Sequence, residues 1–134
     1  VERLRKIGKL KSIEYGLLDV TFHRDDFRHR NEPLKASAMK MDFLVDGKKV
    51  ILIDDVLYTG RTIQAAISAL QHFGRPEKIE LLVLIDRRFN RDLPIQSDYS
   101  GMVVDALDQA YVKVDWQEGA GGKVRIYASK EDVK

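Results

Sequence analysis

The sequence predicts one α/β domain built on a parallel β-sheet. Residues 50–53 and 81–85, within strands read over 49–53 and 79–85, are continuous apolar runs, not alternating ones, the habit of strands buried on both faces of a parallel sheet. Between them apolar residues recur at helical spacing, so strand, helix and strand follow within about 35 residues, the length of a βαβ unit. The most concentrated polar chemistry, Asp54 to Thr62, comes directly after the first of these strands. Open parallel sheets bind their ligands at that end.

Taken in order, Val1, Leu4, Ile7 and Leu10 fall at helical spacing, as if completing a helix begun earlier, and Gly16 breaks the pattern. Residues 17–22 are rich in β-formers and predict a strand. Residues 23–34 are charged and close on Pro33-Leu34, predicting a mobile loop. A short strand is expected over residues 39–45, and Asp46-Gly47 suits a tight turn. The strand 49–53 carries Asp54 and Asp55 at its C-terminal end. Ile63, Ala66, Ile67 and Leu70 mark one face of a helix that should stop near Gly74, ahead of Pro76. The strand 79–85 ends in Asp86-Arg87-Arg88. Further short strands are expected over residues 102–104, 110–114 and 124–127, with Gly119 to Gly122 as a hairpin loop.

Composition narrows the class. The 134 residues are 44% hydrophobic and 33% charged, which fits a globular domain and excludes a disordered tail. No apolar run approaches the roughly 20 residues of a membrane helix, and no signal peptide is visible, so a cytoplasmic home without membrane partners is expected. The absence of cysteine excludes disulfides, thiolate metal sites and a cysteine nucleophile. A net charge of +2 is too even for a nucleic-acid coat, although Arg3, Arg5, Lys6, Lys9 and Lys11 cluster near the start. Arg24, Arg28 and Arg30 stand among Asp25 and Asp26. His23, His29 and His72 have neither metal-site nor triad spacing, and Trp116 is read as packing or interface.

The segment Asp54-Asp55-Val56-Leu57-Tyr58-Thr59-Gly60-Arg61-Thr62 has a physical use for each part. Gly60 permits a positive φ and close approach of an anion to the backbone. Thr59 and Thr62 offer hydroxyls and N–H groups where the helix begins, a place that favours phosphate. Arg61 adds positive charge. Asp54 and Asp55 would repel a bare phosphate, so they suit ribose hydroxyls, a ligand-borne Mg²⁺ or a developing cation. Each part also has a plain structural use: Thr59 as a helix cap, Gly60 as a turn residue, the acids as solvated charges. No Walker A or dinucleotide fingerprint is present.

Residues 50–62 match the pattern of a buried strand, two acids, two apolar residues, one variable residue and Thr-Gly-Arg/Lys-Thr. The pattern resembles the phosphoribosyl-diphosphate (PRPP) motif of type I phosphoribosyltransferases. Tyr58 stands where purine transferases of this class usually carry an acid. Residues 56–62 resemble instead the bifunctional pyrimidine-operon attenuator/uracil phosphoribosyltransferases, the PyrR family. Residues 19–26, Phe73-Gly74-Arg75-Pro76, Leu84-Ile85-Asp86-Arg87, Leu93-Pro94-Ile95 and Asp98-Tyr99 agree, so the resemblance runs over nearly the whole chain.

The resemblance implies a type I phosphoribosyltransferase fold, a parallel sheet flanked by helices, here without the N-terminal segment. It implies a glycosyltransferase that moves ribose 5-phosphate from PRPP to uracil, giving UMP and diphosphate, with Mg²⁺ carried by PRPP, together with pyrimidine-nucleotide-dependent regulation of pyrimidine-operon mRNA. Asp54 and Asp55 would be the catalytic acids, holding the ribose hydroxyls and offsetting charge at C1. Val56, Leu57, Tyr58, Thr59, Gly60, Arg61 and Thr62 would cradle the 5-phosphate, with Arg24 and Arg87 as further PRPP or UMP contacts. The base would lie near Ile85, Asp86 and Arg88. An alternative implied reading is a UMP- or UTP-sensing RNA-binding attenuator with little catalysis, in which Arg91 touches pyrimidine-operon mRNA. A homodimer or larger homo-oligomer is the default. Three departures stand out: the family's upstream Lys/Gln-Thr-Arg-Gly diphosphate loop would precede Val1, Arg88 replaces the usual glycine, and Gln96 and Met102 replace basic residues of attenuating relatives.

Overall fold

The computed structural model describes residues 6, 8, 12–20, 40–106, 109–117 and 121–133. Its centre is a three-stranded sheet of β1 (Lys49–Leu57), β2 (Lys78–Arg87) and β3 (Tyr99–Val104), in that order and parallel throughout. Helix α1 (Arg61–Leu70) links β1 to β2, so the predicted βαβ unit is present. A separate antiparallel hairpin is formed by β4 (Tyr111–Gln117) and β5 (Gly121–Tyr127). Gly121 and Gly122, expected in its loop, are paired residues of β5, while residues 118–120 lie outside the described residues.

The apolar pattern drives this arrangement. A ten-residue helix is marginal in water by itself, so its stability comes from the face it buries. That face consists of Ile63, Ala65, Ala66, Ala69 and Leu70. Ile63 and Ala66 join Leu52, Leu57, Leu81 and Val83 in one core cluster, with Leu18, Val20, Ile67, Ile79 and Ile95 packed against it. Burial of a side chain such as Ile63 or Leu57 contributes roughly 1.5–3 kcal/mol. The helix ends as expected: a 3₁₀ turn over Gln71–Phe73 runs into Gly74, whose φ of 123° carries the chain toward Pro76.

The ends of the βαβ unit are tied by backbone bonds. Val45 donates to Phe73 (2.8 Å), Gly47 to Arg75 (2.9 Å) and Glu77 to Lys48 (3.0 Å). The Asp46-Gly47 turn is present, and the Asp46 carboxylate accepts the Arg75 N–H at 2.8 Å.

Several expectations need correction. The strand expected over residues 39–45 does not form among its described members. Lys40 makes only an isolated antiparallel bridge with Leu17, and Val45 is instead buried ahead of the turn. Residues 17–20 likewise carry no ladder beyond that bridge. Leu18 and Val20 still pack inward, so the alternation of the sequence survives without sheet pairing. The strand expected to end before Asp54 runs on to Leu57, because Val56 and Leu57 pair with Ile85 and Asp86 of β2.

Burial on both faces of the sheet does not hold among the described residues. Ile51 and Ile53 are 55% and 66% exposed, and Leu82, which pairs with Ile53, is also open. Successive strand residues point to opposite faces, so these side chains lie on the face away from α1. The helical spacing read over residues 1–10 lies outside the described residues except at Lys6 and Gly8, which are helical. The loop 23–34, with Arg24, Asp25 and Asp26, also lies outside the described residues, as do His23 and His29. No described helix is long and apolar enough to cross a membrane.

Candidate active site

The C-terminal ends of β1 and β2 converge on one polar region. Asp54 and Asp55 are the sixth and seventh residues of β1 and are both partly buried. The Asp54 carboxylate accepts the Asp55 backbone N–H at 2.9 Å, which fixes its orientation. Leu57, expected to help cradle phosphate, is only 1% exposed and belongs to the core, so its side chain anchors the loop from beneath.

The turn from β1 into α1 is made by Tyr58, Thr59 and Gly60. Gly60 is the residue before the helix, with φ 91° and ψ −6°, a conformation that residues with a Cβ rarely adopt. Thr59, weighed as a helix cap, is not the capping residue; its hydroxyl accepts the Arg61 N–H at a long 3.4 Å. The first intrahelical bond is Gln64 N–H to Gly60 O at 3.0 Å. The amides of Thr62 and Ile63 therefore precede the hydrogen-bonded ladder, in the set of donors that a helix start leaves to other partners. No acidic residue occupies the first turn to compete for them. Together with the helix dipole they favour an anion.

The loop rests on residues 91–95, which the sequence did not single out as part of it. Asp92 and Leu93 both donate their backbone N–H to Thr59 O, at 3.0 and 3.2 Å. The Asp92 carboxylate accepts Arg61 Nε at 3.0 Å. The Arg91 guanidinium donates to Tyr58 O and, at 2.6 Å, to the Asp86 carboxylate. Ser97 Oγ donates to the other Asp86 oxygen at 2.8 Å.

At the end of β2, Ile85 is buried, so it can form only the floor of a base pocket. Asp86 and Arg87 are also buried, and the Arg87 guanidinium stacks over the Tyr58 ring at 3.8 Å. Such a stack is an attractive cation–π contact, and it couples the two loops where phosphate and base would meet. Arg88 is drawn to the end of β3, where Asp105 accepts two bonds from it, at 2.9 and 2.7 Å. Arg91, expected as an RNA contact, is turned inward and its side chain is only 18% exposed. The neighbouring Gln96 and Met102 are open to solvent. Arg24 lies outside the described residues.

Among the described residues no three His, Asp or Glu side chains converge as a metal cage. A Mg²⁺ brought by a phosphorylated ligand fits nevertheless, since such ions commonly use one or two carboxylates and complete their shell with phosphate oxygens and water.

A model of the phosphoribosyl transferase domain matches residues 7–118, most of the chain. The chain belongs to the phosphoribosyl transferase domain family. Within that family it is similar to proteins named Bifunctional protein PyrR. It is 45% identical to that of Caldicellulosiruptor bescii over 113 residues, covering 84% of this chain and 61% of that protein. It is 43% identical to that of Elusimicrobium minutum over 121 residues, covering 90% and 66%. The chain thus spans under two thirds of the length of these relatives. Among solved structures, the hypoxanthine phosphoribosyltransferase of Trypanosoma cruzi superposes with TM-score 0.46 at 23% identity, over 55% of this chain and 40% of that one.

Proposed function

We propose that this chain carries the pentosyl-transfer site of a uracil phosphoribosyltransferase, which forms UMP and diphosphate from uracil and PRPP. The observation that carries the reading is the turn at Tyr58–Gly60. It follows two carboxylates on β1, takes a positive φ at Gly60, and opens a helix whose first amides are available to an anion.

The residues then divide the work. The amides and hydroxyls of residues 59–62 hold the 5-phosphate, with Arg61 lending charge while Asp92 steadies it. Asp54 and Asp55 suit the ribose hydroxyls, and their charge offsets the cation that develops at C1 as the bond to diphosphate breaks and the bond to uracil N1 forms, the N1 proton passing to the departing diphosphate or to water. Arg87 stacked on Tyr58 and Asp86 beside it border the base. A Mg²⁺ carried by PRPP would be held near Asp54 and Asp55 and would neutralise charge on the departing diphosphate. Catalysis of this kind rests on positioning and electrostatics, so no covalent nucleophile is required. Homo-oligomeric assembly and a cytoplasmic setting accompany this reading.

The inward pairing of Arg91 favours the transferase over a purely RNA-binding role, because a cation already tied to Asp86 offers little to an RNA phosphate. Calorimetric titration tests the site. UMP and PRPP should bind in a mutually exclusive way, with IMP much weaker. Failure of both UMP and PRPP to bind a folded chain would sink the reading.

A further inference from the structure

We propose that Arg91 is a positioning residue: it holds the carbonyl of Tyr58 away from the ligand so that the amides of the turn face the 5-phosphate. This deepens the transferase reading and rests on it. The peptide plane is rigid. In a trans peptide the C=O of one residue and the N–H of the next point in opposite directions, and none of the described peptide bonds is cis. Whatever seizes the carbonyls of Tyr58 and Thr59 therefore sets the directions of the Thr59 and Gly60 amides.

Three donors from one short segment seize them. The Arg91 guanidinium bonds Tyr58 O, and the N–H groups of Asp92 and Leu93 bond Thr59 O at 3.0 and 3.2 Å. With both carbonyls turned toward residues 91–93, the following amides turn to the opposite side. A peptide that flipped would present a carbonyl to the phosphate and repel it. Gly60, with its permissive backbone, eases a flip of the Thr59–Gly60 peptide, which the amides of Asp92 and Leu93 oppose, while Arg91 opposes that of the Tyr58–Thr59 peptide.

Arg91 is suited to the task because its own position is fixed. Asp86, held in turn by Ser97, accepts its other nitrogen at 2.6 Å. The fork of a guanidinium can serve both acceptors at once, which a lysine ammonium on a flexible stem does poorly. Arg91 thereby couples the end of β2, beside the base, to the turn that holds the phosphate.

The test uses Arg91→Met and Arg91→Lys in the full chain, with two readouts. At saturating UMP, the Thr59 amide should be protected from hydrogen exchange in the wild-type chain and lose that protection in both variants, while Leu52 and Val83 in the β1–β2 ladder stay protected. Affinity for UMP and for ribose 5-phosphate should fall by about 10- to 100-fold in both, the loss expected for one charged hydrogen bond, while Arg91→Lys leaves affinity for uracil unchanged. Arg91→Lys retains a cation for Asp86, so it reports on the turn even if Arg91→Met folds poorly. Protection of the Thr59 amide by UMP that is undiminished in Arg91→Lys overturns the proposal. Equal loss of uracil and UMP binding also overturns it, since that marks a general structural role. Wild-type chain that binds no UMP would instead overturn the transferase reading, whatever the exchange data show.

Discussion

Replacing Gly60 with alanine isolates the backbone geometry on which the site depends. At φ 91° an L-residue pays roughly 1–2 kcal/mol for left-handed backbone. The new Cβ would also lie 3.3 Å from Ile95 Cδ1, 3.4 Å from Ile95 Cβ and 3.5 Å from Leu93 Cβ. Two of these contacts are tight, and crowding of a packed site costs about 1–3 kcal/mol, the low end applying where a flexible methyl can yield. Gly60→Ala should therefore lose about 2–4 kcal/mol. Gly47→Ala is the internal control, because Gly47 has φ 63° and nothing within 4 Å of an added Cβ. It should lose only the backbone part, about 1–2 kcal/mol. Urea unfolding of both variants gives the two losses, and a UMP titration beside it should show weakening in Gly60→Ala alone. If Gly60→Ala were as mild as Gly47→Ala, residues 93–95 would not lie beneath the turn, and the reasoning would fail.

Other outcomes follow from the same geometry. Asp55→Asn and Asp54→Asn should each lower UMP formation by roughly 10²–10³-fold while the urea midpoint barely moves, since asparagine keeps an acceptor for the bond inside the pair. Leu57→Ala, at a core position only 1% exposed, should lose about 2–5 kcal/mol in the same unfolding assay. Asp86→Ala strands Arg91 in a largely buried setting and should lose about 3–5 kcal/mol; a loss under about 1 kcal/mol would show that solvent already screens the pair. Asp98→Ala removes the carboxylate that accepts the Leu81 N–H at 2.7 Å and should lose about 1–3 kcal/mol.

The parallel βαβ unit was legible because its signals are local and strong. Apolar runs at residues 50–53 and 81–85 mark the two strands, and the helical spacing of Ile63, Ala66, Ile67 and Leu70 marks the helix between them. The turn at Gly60 was legible for the same reason, since a glycine between Thr59 and Arg61 at a strand–helix junction has few other uses. Strand bounds were less so: Asp54 and Asp55 read as the end of β1, yet pairing with β2 carries the ladder past them to Leu57. Residues 39–45 read as a strand from their apolar content alone, which cannot show that only Lys40 finds a bridge partner. The pairing of Arg91 with Asp86 and Tyr58 was hidden because it joins three loop ends distant in sequence. A charge in a loop reads as a surface cation until its partners are known. The one available signal was proximity to Leu93-Pro94-Ile95, an apolar stretch too short for an element of its own and so bound to pack on something.

The central claim is that the acids of β1 and the turn after them perform pentosyl transfer. Its most direct test is Mg²⁺-dependent UMP formation from uracil and PRPP, measured for this chain, for a chain extended at its N-terminus, and for Asp55→Asn in each. The extended chain, at least, should form UMP, and its Asp55→Asn variant should not. A folded extended chain that makes no UMP, or one whose Asp55→Asn variant makes it as fast, would contradict the account.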